Sequence, residues 1–382
     1  MDKEKKIKVL QDLIKIQTIN GNELAVSQYL SDLLQSYGIS SQIETFKDDK
    51  SRSNLIVELG QGKNDKVLGL TGHQDTVAVT DLDSWHESPF SGTIIDDDIY
   101  GRGAADMKSG LAAEVISLIE LVEKDQVPTG KVRLIITAGE EFGAPGAYLI
   151  NHKDISDLNA LIVGEATDAN VTYGHSGSFN YRIKSFGKPV HSSIPKQGIN
   201  AITGLVKYLN QEAQVFENLP IDDILGEVQH SVTVINGGNQ VNTIPGEATL
   251  LGNVRPTPSF KNEAVRNLIE KTIAEINKNT EYHLEFEVLH NFYPVLTDAN
   301  SDFVKLVQNS SQKEFTDRKI KLYTDNAASD ASVFVQINPT MPVVILGPDK
   351  DGSAHQINEH TTISSYLKMI QVYQNIITDF FK

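Results

Sequence analysis

Four short apolar runs, each followed closely by an acidic or imidazole side chain, constrain the fold of this chain more than any other feature. The runs and the polar residues after them are 67–70 with His73 and Asp75, 132–137 with Glu140 and Glu141, 160–163 with Glu165, and 342–346 with His355. Active sites of open parallel α/β sheets gather at the carboxyl ends of the strands, so these four ends can meet although they lie far apart in sequence. The pattern predicts an α/β fold in which a mostly parallel sheet is flanked by helices and carries a site at one edge.

The length of the chain and a change in its pattern predict two domains. A chain of 382 residues exceeds the roughly 100 to 200 residues of a typical domain. After about residue 178 the sequence alternates as a strand with one wet face, and a self-contained α+β pattern follows up to about residue 290. We therefore predict a discontinuous catalytic domain formed by 1–178 and 291–382, with a second domain, 179–290, inserted into it. Helices are predicted at 5–37 with a break near residue 21, at 104–123, 198–213 and 261–278, from about 300, and at 363–381.

The charge balance and the hydropathy pattern exclude several classes of partner. The chain has 34 basic and 50 acidic residues, and its formal net charge of −16 argues against a nucleic-acid partner because it repels phosphate backbones. No run approaches the roughly 18 to 20 apolar residues that span a bilayer, and residues 1–6 lead into an amphipathic helix rather than a signal-peptide core. We expect a cytoplasmic protein without a membrane partner. The chain has no cysteine, so a metal ion would be held by imidazole and carboxylate groups.

Several of the polar positions have both an ordinary and a chemical interpretation. A lone histidine is usually structural, but His73 ends a strand beside Asp75, and a carboxylate that accepts the far ring N–H prepares an imidazole to ligate a metal. Asp106, in a segment rich in glycine and alanine, is either a helix N-cap or a carboxylate that bridges two cations. Glu140 and Glu141 are either solvated or divided between two roles, one as a ligand and one as a base on bound water.

Together, these residues form a candidate ligand set. His73, Asp106, one glutamate of the 140–141 pair, Glu165 and His355 supply two histidines and three carboxylates, the nitrogen and oxygen donors expected for zinc, cobalt or manganese. The acidic run 96–98 is interpreted as a solvated hairpin turn. The sequence contains neither a phosphate-binding glycine loop nor a Gly-x-Ser-x-Gly elbow, so it supports neither a phosphate-loop protein nor a serine hydrolase.

These segments resemble the M20 family of metallopeptidases and deacylases, which includes succinyl-diaminopimelate desuccinylase, acetylornithine deacetylase, aminoacylase and carboxypeptidase G2-like enzymes. The resemblance covers essentially the whole chain, and the matching segments follow the family's order. They are 72–77, 101–110, 139–141, 164–167 and 355–359. The resemblance implies a zinc-peptidase-like catalytic domain with an inserted, ferredoxin-like α+β domain that serves as a lid and a dimerisation domain.

The resemblance also implies a role for each residue of the site. His73 and Glu165 would hold one zinc ion and Glu141 and His355 the other, with Asp106 bridging both, Asp75 orienting His73, and Glu140 acting as the general base. The base would take its proton from a water held between metals roughly 3.5 to 4 Å apart. The family further implies a cis peptide bond between Asp106 and Met107.

For the inserted domain, the resemblance implies a homodimer and a substrate-binding role. His191 matches the histidine that reaches a partner's active site and stabilises the tetrahedral oxyanion. Asn242 and Arg255 match positions that bind the substrate carboxylate. A guanidinium is also what an acidic protein needs to hold an anionic substrate by two hydrogen bonds.

The resemblance predicts an enzyme that removes the acyl group from an N-acyl amino acid, of the succinyl-diaminopimelate desuccinylase or acetylornithine deacetylase type. Glutamate rather than aspartate at position 165 favours the desuccinylases and acetylornithine deacetylases of the family over its aminopeptidases. Desuccinylases usually carry an Arg-Arg-Gly segment before the first lid strand, whereas residues 173–178 here read Tyr-Gly-His-Ser-Gly-Ser, which leaves the acyl group open. An aminoacylase or a dipeptidase or tripeptidase is the alternative enzyme. A silent, metal-stabilised binding protein is the alternative outside enzymes, and the presence of Glu140 argues against it.

Overall fold

The computed structural model describes residues 1–349 and 351–382, with Asp351 described by its backbone alone. The chain divides into two compact units. The first comprises Met1–Gly174, Leu296–Thr324 and Ser329–Lys382, and the second comprises His175–Val295 and Asp325–Ala328. The predicted insert was 179–290, whereas the second unit begins four residues earlier and ends five residues later. The return of Asp325–Ala328 to the second unit was not predicted.

Helices and strands alternate along most of the chain. The helices are α1 (Lys3–Lys15), α2 (Glu23–Ser36), α3 (Ser109–Glu123), α4 (Pro145–Leu149), α5 (Lys153–Ser156), α6 (Ala201–Val215), α7 (Asn262–Asn279), α8 (Asp302–Glu314), α9 (Ala331–Ile337) and α10 (Ile363–Phe380). The strands are β1 (Ser41–Thr45), β2 (Ser53–Gly60), β3 (Val67–His73), β4 (Thr93–Ile95), β5 (Asp98–Tyr100), β6 (Lys131–Thr137), β7 (Ala160–Val163), β8 (Val171–His175), β9 (Ser178–Phe186), β10 (Gln229–Gly237), β11 (Glu247–Arg255), β12 (His283–Phe292), β13 (Val295–Leu296), β14 (Leu322–Asp325), β15 (Val343–Ile345) and β16 (His360–Thr362). Among the helices of the described residues, none is long and apolar enough to cross a membrane.

The larger sheet places the four predicted strand ends side by side. Within the described residues its strand order is β1-β2-β6-β3-β7-β15-β8-β13, with β14 paired to β8. The central strands β6, β3, β7 and β15 run parallel, whereas the pairs β1–β2, β2–β6 and β15–β8 are antiparallel. The predicted α/β fold with a mostly parallel central sheet is confirmed, and the carboxyl ends of its parallel strands share one edge.

The helix α3, which precedes β6, is buried on all of its faces over most of its length. Every residue from Ser109 to Leu121 is buried. The helix contacts β3, β6, α1, α2 and α10, so little of its surface remains for solvent. A Cβ atom at Gly110 would lie 1.8 Å from the carbonyl oxygen of Gly164, so only glycine permits this close approach. The start of α3 is therefore held directly against the end of β7.

A small sheet in the first unit joins two segments that lie far apart in sequence. Its strands are ordered β16-β5-β4, and His360 of β16 lies opposite Tyr100 of β5. The predicted turn at 96–98 lies between β4 and β5, although Asp98 is already the first residue of β5. This pairing brings the chain that leads into α3 beside the chain that leads into α10.

The second unit has the element order β9-α6-β10-β11-α7-β12. Its four strands are antiparallel and ordered β10-β11-β9-β12. This βαββαβ arrangement is the ferredoxin-like fold that the resemblance predicted. Its core contains Tyr181, Leu205, Leu250 and Ile269, whereas the edge strand β10 is exposed along most of its length.

Candidate active site

The five residues predicted as metal ligands come together in the first unit, each from a different segment. His73 is the last residue of β3, and Glu165 follows the end of β7 by two residues. Asp106 lies in the turn before α3, Glu141 in the turn after β6, and His355 in the loop between β15 and β16. The structure thus gathers these side chains at the carboxyl edge of the parallel strands.

The carboxylate of Asp106 lies between the two imidazole rings. Its Oδ1 is 3.0 Å from Nε2 of His73, and its Oδ2 is 3.2 Å from Nε2 of His355. Glu165 lies 3.4 Å from the same nitrogen of His73, and Glu141 lies 2.9 Å from that of His355. Each imidazole nitrogen therefore faces two carboxylates, and the two imidazoles share Asp106. Ligand atoms of His73, Asp106 and Glu141 all lie within 4.8 Å of one another.

The turn that carries Asp106 packs directly against the strand end that carries His73. The peptide bond between Asp106 and Met107 is cis, as the resemblance implied. The sulfur of Met107 lies 3.3 Å from the backbone nitrogen of His73. A Cβ atom at Gly72 would lie 2.6 Å from the terminal methyl of Met107, so glycine keeps space for this contact.

The backbone holds the buried ring of His73 in one tautomer. Its Nδ1 lies 3.0 Å from the carbonyl oxygen of Asp75, and a carbonyl can only accept a hydrogen bond, so Nδ1 carries the proton. In the neutral ring, Nε2, which faces Asp106 and Glu165, therefore carries no proton. Asp75 orients this ring chiefly through its carbonyl, because its Oδ1 is 3.6 Å from Nδ1.

Carboxylates outnumber imidazoles at the site, and the pKa values reflect this excess. Burial, reinforced by the charge of Asp106, raises the pKa of Glu165 to about 8. Hydrogen bonds to Asp106 and Glu141 raise the pKa of His355 to about 10. Burial lowers the pKa of His73, but Glu165 and Asp106 outweigh it and raise that pKa well above its ordinary value. The site therefore favours bound positive charge.

Two further carboxyl groups lie beside the ligand set. Burial raises the pKa of Glu140 well above its usual range, and the charges of Asp330 and Glu165 add to the effect against that of His73. Asp330, which the sequence analysis did not identify, is buried and accepts a hydrogen bond from Thr137 at the end of β6. Burial raises the pKa of Asp330 to about 6. No apolar run precedes Asp330, so the strand-end pattern could not reveal it.

The carboxylate of Asp75 organises the loop that carries both glutamates. It is fully buried and accepts hydrogen bonds from the backbone N–H groups of Gly139, Glu140 and Glu141, at 2.7, 3.1 and 3.2 Å. Hydrogen bonds to an ionised acceptor are roughly twice as strong as neutral ones. Asp75 therefore ties the Glu140–Glu141 loop to the strand end that carries His73.

We expect Asp75→Asn to loosen this loop. Asparagine keeps one acceptor oxygen but turns an N–H group toward the three donors, and each buried donor left unpaired costs about 1–3 kcal/mol. The melting temperature should fall by roughly 2 to 4 °C for each kcal/mol lost. Because the loop carries Glu140, kcat should fall roughly 10- to 100-fold with little change in KM. Calorimetry and initial rates measure both effects, with the exposed Asp96→Asn as control. Equal melting temperatures for the two variants would contradict the role of Asp75.

The stability of metal-free protein should decrease as the pH rises. Folding raises the pKa of Glu165 from 4.5 to about 8 and that of His355 from 6.5 to about 10. Between these values the folded protein holds protons that the unfolded chain has released, so the free energy of unfolding falls with increasing pH. Melting temperatures of chelator-treated protein should drop between pH 5 and pH 9, whereas added zinc should stabilise most at high pH, where it need not displace protons. A flat or rising profile without metal would count against these shifts.

In the second unit, two of the predicted residues are neighbours. His191 pairs with Thr243, and the N–H of Ser192 donates to the carbonyl of Asn242 at 2.9 Å. His191 is exposed, and the backbone N–H of Ser193 donates to its Nδ1 at 3.2 Å. Because Nδ1 accepts this bond, the proton of the neutral ring lies on Nε2, which is left as a donor.

Arg255, the last residue of β11, is a half-buried cation. Burial lowers its pKa, and burial together with the charge of Arg255 lowers the pKa of the nearby His290 to about 4. Among the residues that the structure describes, Arg255 forms no ion pair with a carboxylate. Its guanidinium group is therefore suited to bind an anion from outside the chain.

Imidazoles and carboxylates that converge at the carboxyl edge of a parallel sheet form a candidate centre for divalent metal ions. The sequence model of peptidase family M20/M25/M40 matches residues 69–379, so this chain is a metal-dependent hydrolase of amide bonds. It belongs to that family.

One relative and two solved structures are similar to this chain along nearly its whole length. A Staphylococcus aureus protein named "probable succinyl-diaminopimelate desuccinylase" is 34% identical over 406 aligned positions, covering 99% of this chain and 98% of the relative. An M20 family metallo-carboxypeptidase from Sulfolobus solfataricus has a TM-score of 0.79 and 21% identity, with 99% of each chain covered. An aminopeptidase from Bacillus cereus has a TM-score of 0.78 and 21% identity, with 100% of each chain covered. The two structures share the fold of this chain.

Proposed function

We propose that the protein is a dinuclear, zinc-dependent deacylase that hydrolyses N-succinyl-diaminopimelate to succinate and diaminopimelate, a step that would serve lysine biosynthesis. The support for two metals is the position of Asp106, whose two oxygens lie 3.0 and 3.2 Å from imidazole nitrogens of His73 and His355. The support for the substrate is the likeness along nearly the whole chain to a relative of that name.

The residues of the site fit two divalent cations. His73 and Glu165 would hold one ion and His355 and Glu141 the other, with Asp106 bridging them. Each set of ligands offers the nitrogen and oxygen donors that zinc, cobalt and manganese accept. Burial beside the charge of Asp106 raises the pKa of Glu165, and hydrogen bonds to Asp106 and Glu141 raise the pKa of His355, so the site gains from positive charge. Two cations would supply that charge in place of protons.

The chain's own groups would carry the proton through the reaction. When bound, the two ions would act as Lewis acids that lower the pKa of water and polarise the amide carbonyl. Glu140 would accept the proton of the attacking water on a carboxylate oxygen and donate it to the nitrogen of the leaving amine. The products are a carboxylic acid and an amine.

The second unit would contribute to binding and to assembly as a homodimer. We assign the Nε2–H of His191 to the developing oxyanion in a partner's active site, and Asn242 and Arg255 to the substrate carboxylate. The exposed edge strand β10, with Val234 and Ile235 at 39% and 51% exposure, offers unpaired backbone and apolar side chains to a second copy. The substrate is a small N-acyl amino acid, and no nucleic acid or membrane takes part.

A hydrolysis panel on zinc-loaded enzyme tests the proposed function. Its substrates are N-succinyl-diaminopimelate, N-acetylornithine, other N-acyl amino acids and dipeptides, compared by kcat/KM. We expect the succinyl substrate to be preferred, and Arg255→Gln to raise its KM roughly 10- to 100-fold because a charge-assisted hydrogen bond worth about 1.5–3 kcal/mol is lost.

The other outcomes of the panel each identify a different protein. Preference for N-acetylornithine or another acyl amino acid would keep the deacylase and replace the acyl group. Cleavage of dipeptides alone would make the protein an M20 peptidase. Metal binding without hydrolysis of any substrate would leave only a metal-stabilised binding protein on the same fold.

A further inference from the structure

Two ligand-bearing segments of the candidate metal centre are joined by the small sheet. Strand β5 leads into the turn of Asp106, and β16 directly follows the loop of His355. Beside the paired residues His360 and Tyr100, the N–H of Gly101 donates to the carbonyl of Glu359 at 2.8 Å. Any group that fixes this junction also fixes the separation between the two ligand segments.

The side chain of Glu359 lies at this junction and is fully buried. Its Oε1 accepts hydrogen bonds from the backbone N–H groups of Ala105 and Asp106, at 3.0 and 3.1 Å. Its Oε2 accepts a hydrogen bond of 2.5 Å from Nη1 of Arg102. Both oxygens are therefore engaged with the protein, so Glu359 is not itself available as a metal ligand.

Arg102 links Glu359 to the loop that carries His355. Its guanidinium donates through Nη2 to the carbonyl of His355 at 3.4 Å. The guanidinium also lies over the ring of Trp85, 5.3 Å from its centroid. Arg102 is only 2% exposed, so its charge depends on Glu359 for neutralisation.

We propose that Glu359 and Arg102 are positioning residues of the metal centre. Glu359 binds the backbone of Asp106, Arg102 binds the backbone of His355, and their ion pair holds the two segments at one separation. The inference rests on the proposed dinuclear site and assigns these residues no contact with metal or substrate. Outer groups that orient metal ligands typically contribute 10- to 100-fold to metal affinity.

The chain offers a matched control for the loss of a buried, paired carboxylate. Glu120, in α3, is 5% exposed, forms an ion pair with Lys6, and accepts hydrogen bonds from Gln374 and Lys124 at 2.9 and 3.2 Å. Among the residues that the structure describes, Glu120 forms no hydrogen bond or ion pair with the ligand segments. Glu120→Gln should therefore lower stability without changing metal affinity, whereas Glu359→Gln should change both.

The test equilibrates full-length enzyme at a series of buffered free zinc concentrations and counts bound ions per chain by mass spectrometry. We expect wild-type protein to bind two ions, and Glu359→Gln to weaken at least one binding step by roughly 10- to 100-fold. Arg102→Lys keeps the charge, but a lysine cannot reach both Glu359 and the carbonyl of His355, so it should cause a smaller loss of zinc affinity. This variant provides the test if Glu359→Gln does not fold. The visible spectrum of the cobalt-substituted enzyme should change in both variants and stay unchanged in Glu120→Gln.

The outcomes separate this inference from the proposed function. If wild-type protein binds fewer than two ions, the dinuclear proposal itself fails. If it binds two, and both variants bind zinc as tightly as wild type with an unchanged cobalt spectrum, Glu359 and Arg102 are merely structural and the inference is overturned. Equal weakening in Glu120→Gln would also overturn it, because metal affinity would then follow general stability.

Discussion

Glu140→Gln should remove nearly all turnover while leaving the metal content unchanged. Glutamine has nearly the same shape as glutamate but cannot accept and return a proton, and general acid–base catalysis typically contributes roughly 10²- to 10⁴-fold. We expect kcat to fall by that factor, with KM close to the wild-type value. Steady-state rates and metal analysis of the purified protein measure the two quantities together.

The exposed Glu4→Gln, on α1, is the control for Glu140→Gln, because it makes the same chemical change far from the candidate site. It should keep wild-type rates and metal content. Wild-type turnover in Glu140→Gln would refute the assigned base. Loss of metal from that variant would instead mean that Glu140 acts as a ligand.

Asp106→Asn should have the largest effect on metal binding. The two carboxylate oxygens of Asp106 face different imidazoles, at 3.0 and 3.2 Å, and asparagine keeps only one of these oxygens as an acceptor. The bridging charge would be lost from both ions. Because such ions supply several kcal/mol to catalysis, we expect activity to drop about a thousandfold or more and bound zinc to fall below two ions per chain.

Two comparisons make the Asp106→Asn result specific. Asp125→Asn, at an exposed position after α3, should retain wild-type activity and zinc. Treatment of wild-type protein with a chelator should reproduce the loss of activity, and zinc should restore it in wild type but not in Asp106→Asn. Full restoration in the variant would show that one oxygen at this position suffices.

The part of the site that lies at strand ends could be anticipated from sequence, because a buried strand leaves a strong local signal. The apolar runs before His73, Glu141, Glu165 and His355 correspond to β3, β6, β7 and β15, which are neighbours in the sheet. The α+β pattern of the inserted unit was likewise readable from its alternating strands and long helices, whereas its ferredoxin-like fold was implied by the family resemblance. In each case the signal comes from residues close together in the chain.

Other features of the fold and the site could not be predicted from short stretches of sequence. The role of Glu359 depends on backbone groups 253 and 254 positions away, and that of Asp330 on Thr137, 193 positions away. The short elements β8, β13, β14, β16, α4, α5 and α9 span two to seven residues, too few to show a period. The burial of α3 from Ser109 to Leu121 likewise follows from helices packed on it from both ends of the chain.

The spacing of the ligands has a consequence for the synthesis of the protein. Glu141 and His355 meet at 2.9 Å although 214 positions separate them. A chain still emerging from the ribosome therefore lacks His355 until 214 further residues have been translated after Glu141, and it cannot complete the proposed ion-binding set before then. Under the proposed function, the nascent chain would have no hydrolytic activity up to that point, and metal binding would follow the translation of His355.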